Sequence, residues 1–89
     1  MSLLTRSSTV DGVLRRSAAR YDDTTALVFA DRSWSYRELD AAVSRVAAHL
    51  LGLGLAKGDR VAALGRNSDA YLIGFLACAR AGLVHVPLN

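Results

Sequence analysis

The residues most able to do chemistry in this chain are two histidines, one cysteine and eight carboxylates, and their spacing forms no reactive set. His49 and His85 have no second His, Cys or carboxylate at metal-ligand spacing. His85 lies among valines, where we expect it to pack, and Cys78 lies in an apolar run, where a thiol reacts slowly. No Gly-x-Ser-x-Gly elbow marks a nucleophilic serine. We therefore predict no catalytic, cofactor-binding or metal-ligating residue in these 89 residues.

Two glycine-containing stretches have compositions that resemble nucleotide- or phosphate-binding loops. Gly52-Leu53-Gly54 with Gly58 follows a predicted helix and precedes a predicted strand, which is the reverse of a dinucleotide fingerprint, so we interpret it as a helix cap and turn. The stretch 65–68, Gly-Arg-Asn-Ser, does lie between a strand and a helix, where anions bind. It lacks the second glycine and the Gly-Lys-Ser/Thr ending of a P-loop. Helix capping is the favoured interpretation there, and a phosphate contact is the alternative.

Composition narrows the class of protein. The chain is 52% hydrophobic with a net charge of +3, and its arginines are scattered rather than clustered, which argues against nucleic-acid binding. The longest apolar stretch, Ala70 to Ala79, is ten residues, whereas a membrane-spanning helix needs roughly 20. The stretch 1–12 lacks the apolar region typical of a signal peptide, and a single cysteine forms no internal disulfide, so we expect a cytoplasmic protein.

Periodicity and capping residues predict the elements that would position these side chains. Residues 1–8 are expected to form a flexible arm, and a helix over 10–20 would start at a capping box of Ser8 and Asp11. A hairpin follows, with a strand over 26–30 and a turn at Asp31-Arg32.

The strongest local signal is the capping box of Ser35 and Glu38. It starts an amphipathic helix over 36–51 that Gly52 and Gly54 end.

The last third of the chain predicts a βαβ unit. An apolar strand over 60–65 without alternation is typical of a strand buried on both faces of a parallel sheet. A largely apolar helix over 69–81, capped by Asn67 or Ser68 and ended by Gly82, leads to a strand over 83–87 and a turn at Pro87. The two strands should be parallel and the crossover right-handed.

The ordered series of motifs resembles the opening of the adenylate-forming (AMP-binding) superfamily, which holds acyl-CoA synthetases, peptide-synthetase adenylation domains and luciferases. The likeness spans roughly 80 of the 89 residues. It rests on stretches that recur in order: Ala26-Leu27-Val28, Trp34-Ser35-Tyr36-Arg37-Glu38-Leu39-Asp40, Gly54-Leu55-Ala56-Lys57-Gly58-Asp59-Arg60-Val61-Ala62, Arg66-Asn67-Ser68, Ala79-Arg80-Ala81-Gly82 and Val86-Pro87-Leu88-Asn89. Gly65-Arg66 departs slightly, since relatives often have an apolar residue or Pro there.

The resemblance implies a fatty-acid–CoA ligase or a similar acid–thiol ligase that uses ATP, Mg²⁺ and coenzyme A. The carboxylic acid would attack the α-phosphate of ATP to give an acyl-adenylate, from which the thiol takes the acyl group. The phosphate loop, the catalytic lysine and the other working parts lie downstream in such enzymes, so the matching positions are scaffold: Tyr36, Glu38, Leu39, Gly58, Asp59, Asn67, Gly82 and Pro87. No ligand is therefore expected on this chain alone, and the chain alone is expected to be inactive.

The physical pattern and the resemblance together predict an α/β fold that is the N-terminal portion of a larger mixed/parallel-sheet domain. Residues 9–89 would be this incomplete segment, with the remainder of the same enzyme as its partner. A two-stranded parallel pair leaves bare edges and faces, and the helix over 69–81 is too apolar for so short a chain. Two alternatives stay open: an acyl-AMP ligase that loads a carrier protein, and a stand-alone small α/β binding module.

Overall fold

A computed structural model describes residues 10–64 and 68–88. Two predicted features, the arm over 1–8 with its Ser8 cap and the loop over 65–67, lie outside these described residues. The elements in chain order are α1 Val10–Arg20, β1 Thr25–Phe29, β2 Arg32–Ser35, α2 Tyr36–Gly52, β3 Arg60–Leu64, α3 Asp69–Ala81 and β4 Val84–Leu88.

The hairpin is confirmed, but its turn is one residue earlier than predicted. β1 and β2 are antiparallel, Phe29 pairs with Arg32, and the turn residues are Ala30 and Asp31. The prediction was wrong because Ala30 adopts a φ of +56°, a left-handed conformation that is rare for residues other than glycine.

The capping box that starts α2 is confirmed in both directions. The backbone N–H of Glu38 donates to Oγ of Ser35 at 3.1 Å, and the backbone N–H of Ser35 donates to the Glu38 carboxylate at 2.8 Å. At the other end the prediction was wrong in detail, since Gly52 belongs to the helix and Leu53 is its right-handed cap. Gly54, with a φ of +96°, is the left-handed residue that turns the chain away.

The βαβ unit is confirmed as a parallel pair, with β3 and β4 in register from Arg60–Val84 to Leu64–Leu88. Gly82 ends α3 with a φ of +77°, and its carbonyl accepts a hydrogen bond from the N–H of Gly58 at 2.8 Å. Pro87 lies within β4 rather than in a turn, because an edge strand tolerates a residue without an N–H. The right-handed crossover stays a prediction.

The core lies where α1, α2 and α3 meet. Val43 and Ala77 are fully buried at its centre, and the hairpin covers one end of it through Leu27 and Trp34. The eight buried residues of this cluster are Leu14, Leu39, Ala42, Val43, Ala47, Ile73, Leu76 and Ala77.

The two faces of the sheet of β3 and β4 differ in exposure, as expected of a two-stranded parallel pair with little to cover it. Burial of β3 on both faces stays a prediction for the larger domain. Val61, Ala63 and His85 are half-buried on the helix side, whereas Ala62 and Val84 are exposed on the other. Among the described residues, no element covers that outer face, because β3 pairs only with β4 and the helical contacts of the sheet come from α3.

Candidate functional site

The start of α3 is the place where the fold could present an anion site, and it is occupied by the chain's own groups. Ser68 is the N-cap, and its Oγ accepts the N–H of Tyr71 at 3.0 Å, which decides between the two predicted caps. Asp69 follows at the first helical position, and its carboxylate also accepts the N–H of Ala70 at 2.9 Å. A side-chain carboxylate thus already lies at the positive end of this helix.

Asp69 is also the centre of a buried polar cluster that the sequence analysis did not foresee. Its side chain is 5% exposed and accepts hydrogen bonds from Nε and Nη2 of Arg32 at 2.6 and 2.7 Å, and from the indole N–H of Trp34 at 3.0 Å. The hydrogen bonds from Arg32 hold the pKa of this carboxyl far below its ordinary value, although burial acts to raise it. Arg32 and Trp34 are two residues apart on β2, and alternate residues of a strand share a face. This spacing was the sequence signal that both side chains could contact one partner.

Arg80 forms a second cluster, which joins all three helices. Its side chain is 6% exposed and contacts Asp11 of α1 and Asp40 of α2, each at 2.6 Å. It also donates to Oγ of Ser44 at 2.8 Å and to the backbone carbonyl of Asp40 at 3.1 Å. We name these four residues, Arg80, Asp11, Asp40 and Ser44, the helical seam.

Asp11 also pairs with an arginine of its own helix. Its second oxygen accepts from Arg15 at 2.8 Å, one turn along α1. Burial acts to raise the pKa of Asp11, but the hydrogen bonds from Arg15 and Arg80 outweigh it and leave the pKa below its ordinary value. The chemistry of the helical seam is thus that of a structural ion-pair cluster.

One concave region of the described residues is a groove of about 510 Å³ between the hairpin and α2. Three of its charged groups are engaged within the chain, since Arg32 pairs with Asp69, Arg37 pairs with Asp22 and Asp23, and Glu38 caps α2. The groove is lined by Arg32, Ser33, Trp34, Arg37, Glu38, Ala41 and Arg45.

A separate concave region, which we name the His85 cavity, has a volume of about 300 Å³ and lies between α2, α3 and the helix-facing side of the sheet. The ring of His85 meets the rings of Tyr71 and Phe75 edge to face, at centroid distances of 5.3 and 5.4 Å. The cavity is lined by Val46, Leu50, Val61, Ala63, Ser68, Ala70, Tyr71, Gly74, Cys78 and His85.

The remaining candidates also have structural surroundings. His49 lies in the last turn of α2, where a cation suits the helix dipole. Cys78 is buried, and burial raises the pKa of its thiol, which lowers its reactivity. Within residues 10–64 and 68–88, no group of three or more His, Cys, Asp or Glu side chains is placed to hold a metal ion. In the same part of the chain, no helix is long and apolar enough to cross a membrane.

The described residues form a mixed α/β segment, which consists of a hairpin, a capped amphipathic helix and a parallel βαβ unit. The family model of the AMP-binding enzymes matches residues 14–89, and the chain belongs to that family. The predicted superfamily and fold class are thereby confirmed.

The relatives include a peptide synthetase and an acyl-CoA ligase. The chain is 45% identical over 82 residues to the phosphinothricin tripeptide synthetase PhsC of Streptomyces viridochromogenes, covering 91% of this chain and 8% of the relative. It is 36% identical over 83 residues to the acyl-CoA ligase sidI of Aspergillus fumigatus, covering 91% of this chain and 14% of the relative. Among solved structures, the N-terminal subdomain of Klebsiella oxytoca NpsA superposes with a TM-score of 0.83 at 38% identity, covering 90% of this chain and 21% of that one.

The chain thus spans less than a sixth of the length of these two curated relatives. Three of the positions that resemble the family make structural contacts. Glu38 is in the capping box, Gly58 is bonded to Gly82, and the carboxylate of Asp59 accepts the N–H of Ala56 at 2.7 Å. Asn67, another of the scaffold positions, lies outside the described residues.

Proposed function

We propose that this chain is the N-terminal segment of an ATP-dependent acid–thiol ligase, most simply a fatty-acid–CoA ligase. The observation that carries the proposal is the family match over residues 14–89. The similarity to an acyl-CoA ligase over 91% of the chain supports the choice of branch.

The proposed reaction has two balanced steps. The substrate carboxylate attacks the α-phosphorus of ATP, which forms the acyl-adenylate and releases pyrophosphate. The sulfur of coenzyme A then attacks the acyl carbon, which forms the thioester and releases AMP and the thiol proton. Mg²⁺ would neutralise phosphate charge during the first step.

The part of this chain in the reaction is support rather than chemistry. The described residues do not fit a nucleotide or metal site, because the N-terminus of α3 already carries Asp69 and the carboxylates of both buried clusters are paired with arginines. ATP, Mg²⁺ and coenzyme A would therefore bind to other parts of the enzyme, and the isolated chain would be inactive. Its contribution is a packed three-helix and hairpin unit on which the parallel sheet is built.

A second candidate differs in the thiol that accepts the acyl group. The 45% identity to a tripeptide synthetase favours an enzyme that passes its adenylate to the phosphopantetheine thiol of a carrier protein. Both candidates share the adenylate step, so they predict the same first reaction and a different second one.

The test uses the full-length enzyme that contains this chain. Exchange of labelled pyrophosphate into ATP, dependent on a carboxylic acid from a panel of fatty, aromatic and amino acids, is the expected first result. Thioester formation with free coenzyme A would support the ligase, and loading of a carrier protein without turnover of coenzyme A would support the second candidate. Absence of acid-dependent exchange across the panel would contradict both. The 89-residue chain serves as the control and should give no exchange.

A further inference from the structure

We propose that the His85 cavity is the docking site for a segment of the same polypeptide outside these 89 residues, and that this segment brings one polar group to Nε2 of His85. The inference rests on the proposed function, because it takes the chain to be part of a larger adenylate-forming domain. It goes further by naming the atom through which the two parts of that domain recognise each other.

The first observation is an unpaired atom. Among the buried side-chain nitrogen and oxygen atoms of the described residues, Nε2 of His85 alone has no hydrogen-bond partner. A buried imidazole nitrogen that lost water without gaining a partner destabilises the folded state, and native proteins pair nearly all such atoms.

The second observation is that the ring is fixed in place. Tyr71 and Phe75 contact His85 edge to face, with interplanar angles of 84° and 90°. Rotation of the ring toward water would break both aromatic contacts, so the partner of Nε2 has to come to the ring.

The third observation concerns what can fill the cavity. A bound water needs two to four polar partners. The lining is mostly apolar, with contributions from Val46, Leu50, Val61 and Ala63, and the Oγ of Ser68 already accepts a backbone N–H. A volume of about 300 Å³ with one unpaired polar atom suits apolar protein side chains together with a single polar group.

The fourth observation identifies the occupant as the same polypeptide. The chain covers 21% of the NpsA N-terminal subdomain at 38% identity, so about four fifths of that related subdomain lies outside the match. On the opposite face of the same two strands, Val84 is 46% and Leu88 45% exposed, so the sheet has apolar area to be covered there as well. Parallel sheets in α/β proteins are covered on both faces.

The test compares two substitutions of His85 in the full-length enzyme by equilibrium unfolding in urea. His85→Phe keeps an aromatic ring against Tyr71 and Phe75 but leaves the incoming polar group unpaired, so we expect the folding equilibrium constant to fall at least tenfold. His85→Gln places an amide near the position of Nε2, and we expect a fall of no more than about threefold. His49→Phe and His49→Gln, at an exposed position of α2, are the matched controls and should leave the constant unchanged.

The reverse order would overturn the proposal. If His85→Phe is as stable as the wild type or more stable, His85 only packs and Nε2 has no partner. Equal destabilisation by both substitutions would show that ring shape matters rather than the polar group, and would also overturn it. A destabilisation by His85→Phe that depends on protein concentration would assign the cavity to a second copy instead. Pyrophosphate exchange by the wild-type enzyme is measured separately, so failure of the proposed function and failure of this inference are distinguishable.

Discussion

The helical seam and the sheet of β3 and β4 differ in how far their side chains are buried and their polar atoms are hydrogen-bonded. In the helical seam, Arg80 is 6% exposed and every polar contact it makes comes from within the chain. In the sheet, Val84 is 46% exposed and His85 has an unpaired buried nitrogen. The helical seam is buried and paired by residues of this chain. The sheet has exposed apolar area and an unpaired polar atom, and nothing in residues 10–64 and 68–88 covers them.

The packed core of the segment lies among its helices and hairpin rather than at its sheet. Contacts between α1, α2, α3 and the hairpin form a core around Val43 and close it with ion pairs at both ends, at Arg80 and at Asp69. The sheet instead presents two strands in the correct parallel register and leaves their environment to other residues. Within the described residues, the helices and hairpin are therefore packed on all sides that Val43 meets, whereas the sheet keeps an uncovered face.

The largest effect should come from the helical seam. Arg80→Met leaves the carboxylates of Asp11 and Asp40 without their buried partner, and we expect the free energy of unfolding of the full-length enzyme to fall by about 3 kcal/mol. We place it at the low end of the usual range because Asp40 is 34% exposed. Urea unfolding measures it.

Arg15→Met is the matched control for that substitution, because Arg15 pairs with the same Asp11 but is 59% exposed. Its loss should lower the free energy of unfolding by only about 0.3–0.5 kcal/mol. Equal losses for the two variants would show that the helical seam is not a buried unit.

The next largest effect should come from the outer face of the sheet. Val84→Ser in the full-length enzyme should lower the free energy of unfolding by about 2 kcal/mol, because Val84 becomes buried when the rest of the domain covers β4. Val28→Ser on β1, where Val28 is 65% exposed, is the comparison on the hairpin and should change it by less than about 0.5 kcal/mol. A neutral Val84→Ser would contradict the covered sheet.

An intermediate, pH-dependent effect should come from Asp69. Its pKa in the folded chain lies far below the value of about 3.9 in the unfolded chain, so its stabilisation is fully present above pH 5 and is lost as the pH falls below about 4. Asp69→Asn should therefore reduce stability at pH 7 and flatten the decline between pH 5 and pH 2. Acid titration followed by circular dichroism measures both. Part of the decline should persist, since the pKa of Asp11 is lowered as well.

The smallest effect should come from the cap of α2. Ser35→Ala removes the acceptor for the N–H of Glu38 and should lower the free energy of unfolding by about 1 kcal/mol. Ser33→Ala, on the exposed part of β2, is the control and should be close to neutral. A loss as large as that of Arg80→Met would show that helix capping contributes as much to the free energy of unfolding as the helical seam does.

The sequence predicted the features that depend on neighbours in the chain. The capping box at Ser35, the helix over 36–51 and the parallel βαβ unit all follow from local patterns, and the structure confirms them within one residue or two. Ala30 was missed because a left-handed alanine has no sequence signature. Pro87 was placed in a turn because an edge position is not visible without the sheet.

The two buried clusters could not be predicted in the same way. Arg80 and Asp11 are 69 residues apart, and Arg32 and Asp69 are 37 apart, so their pairing depends on how the elements pack. The carboxylates looked like turn and cap residues, and Asp69 is indeed at a helix start. Burial by other elements turned that capping position into an ion-pair cluster.

Within residues 10–64 and 68–88, the segment is packed and paired on its helical side and uncovered on its sheet side. The most direct test is a thermal and urea melt of the isolated 89-residue chain, with its size in solution and the binding of a hydrophobic dye measured on the same sample. We predict dye binding and self-association without a cooperative monomeric transition, because the sheet side exposes apolar area. A monomer that melts in one two-state transition and binds no dye would contradict this account and favour a stand-alone α/β module.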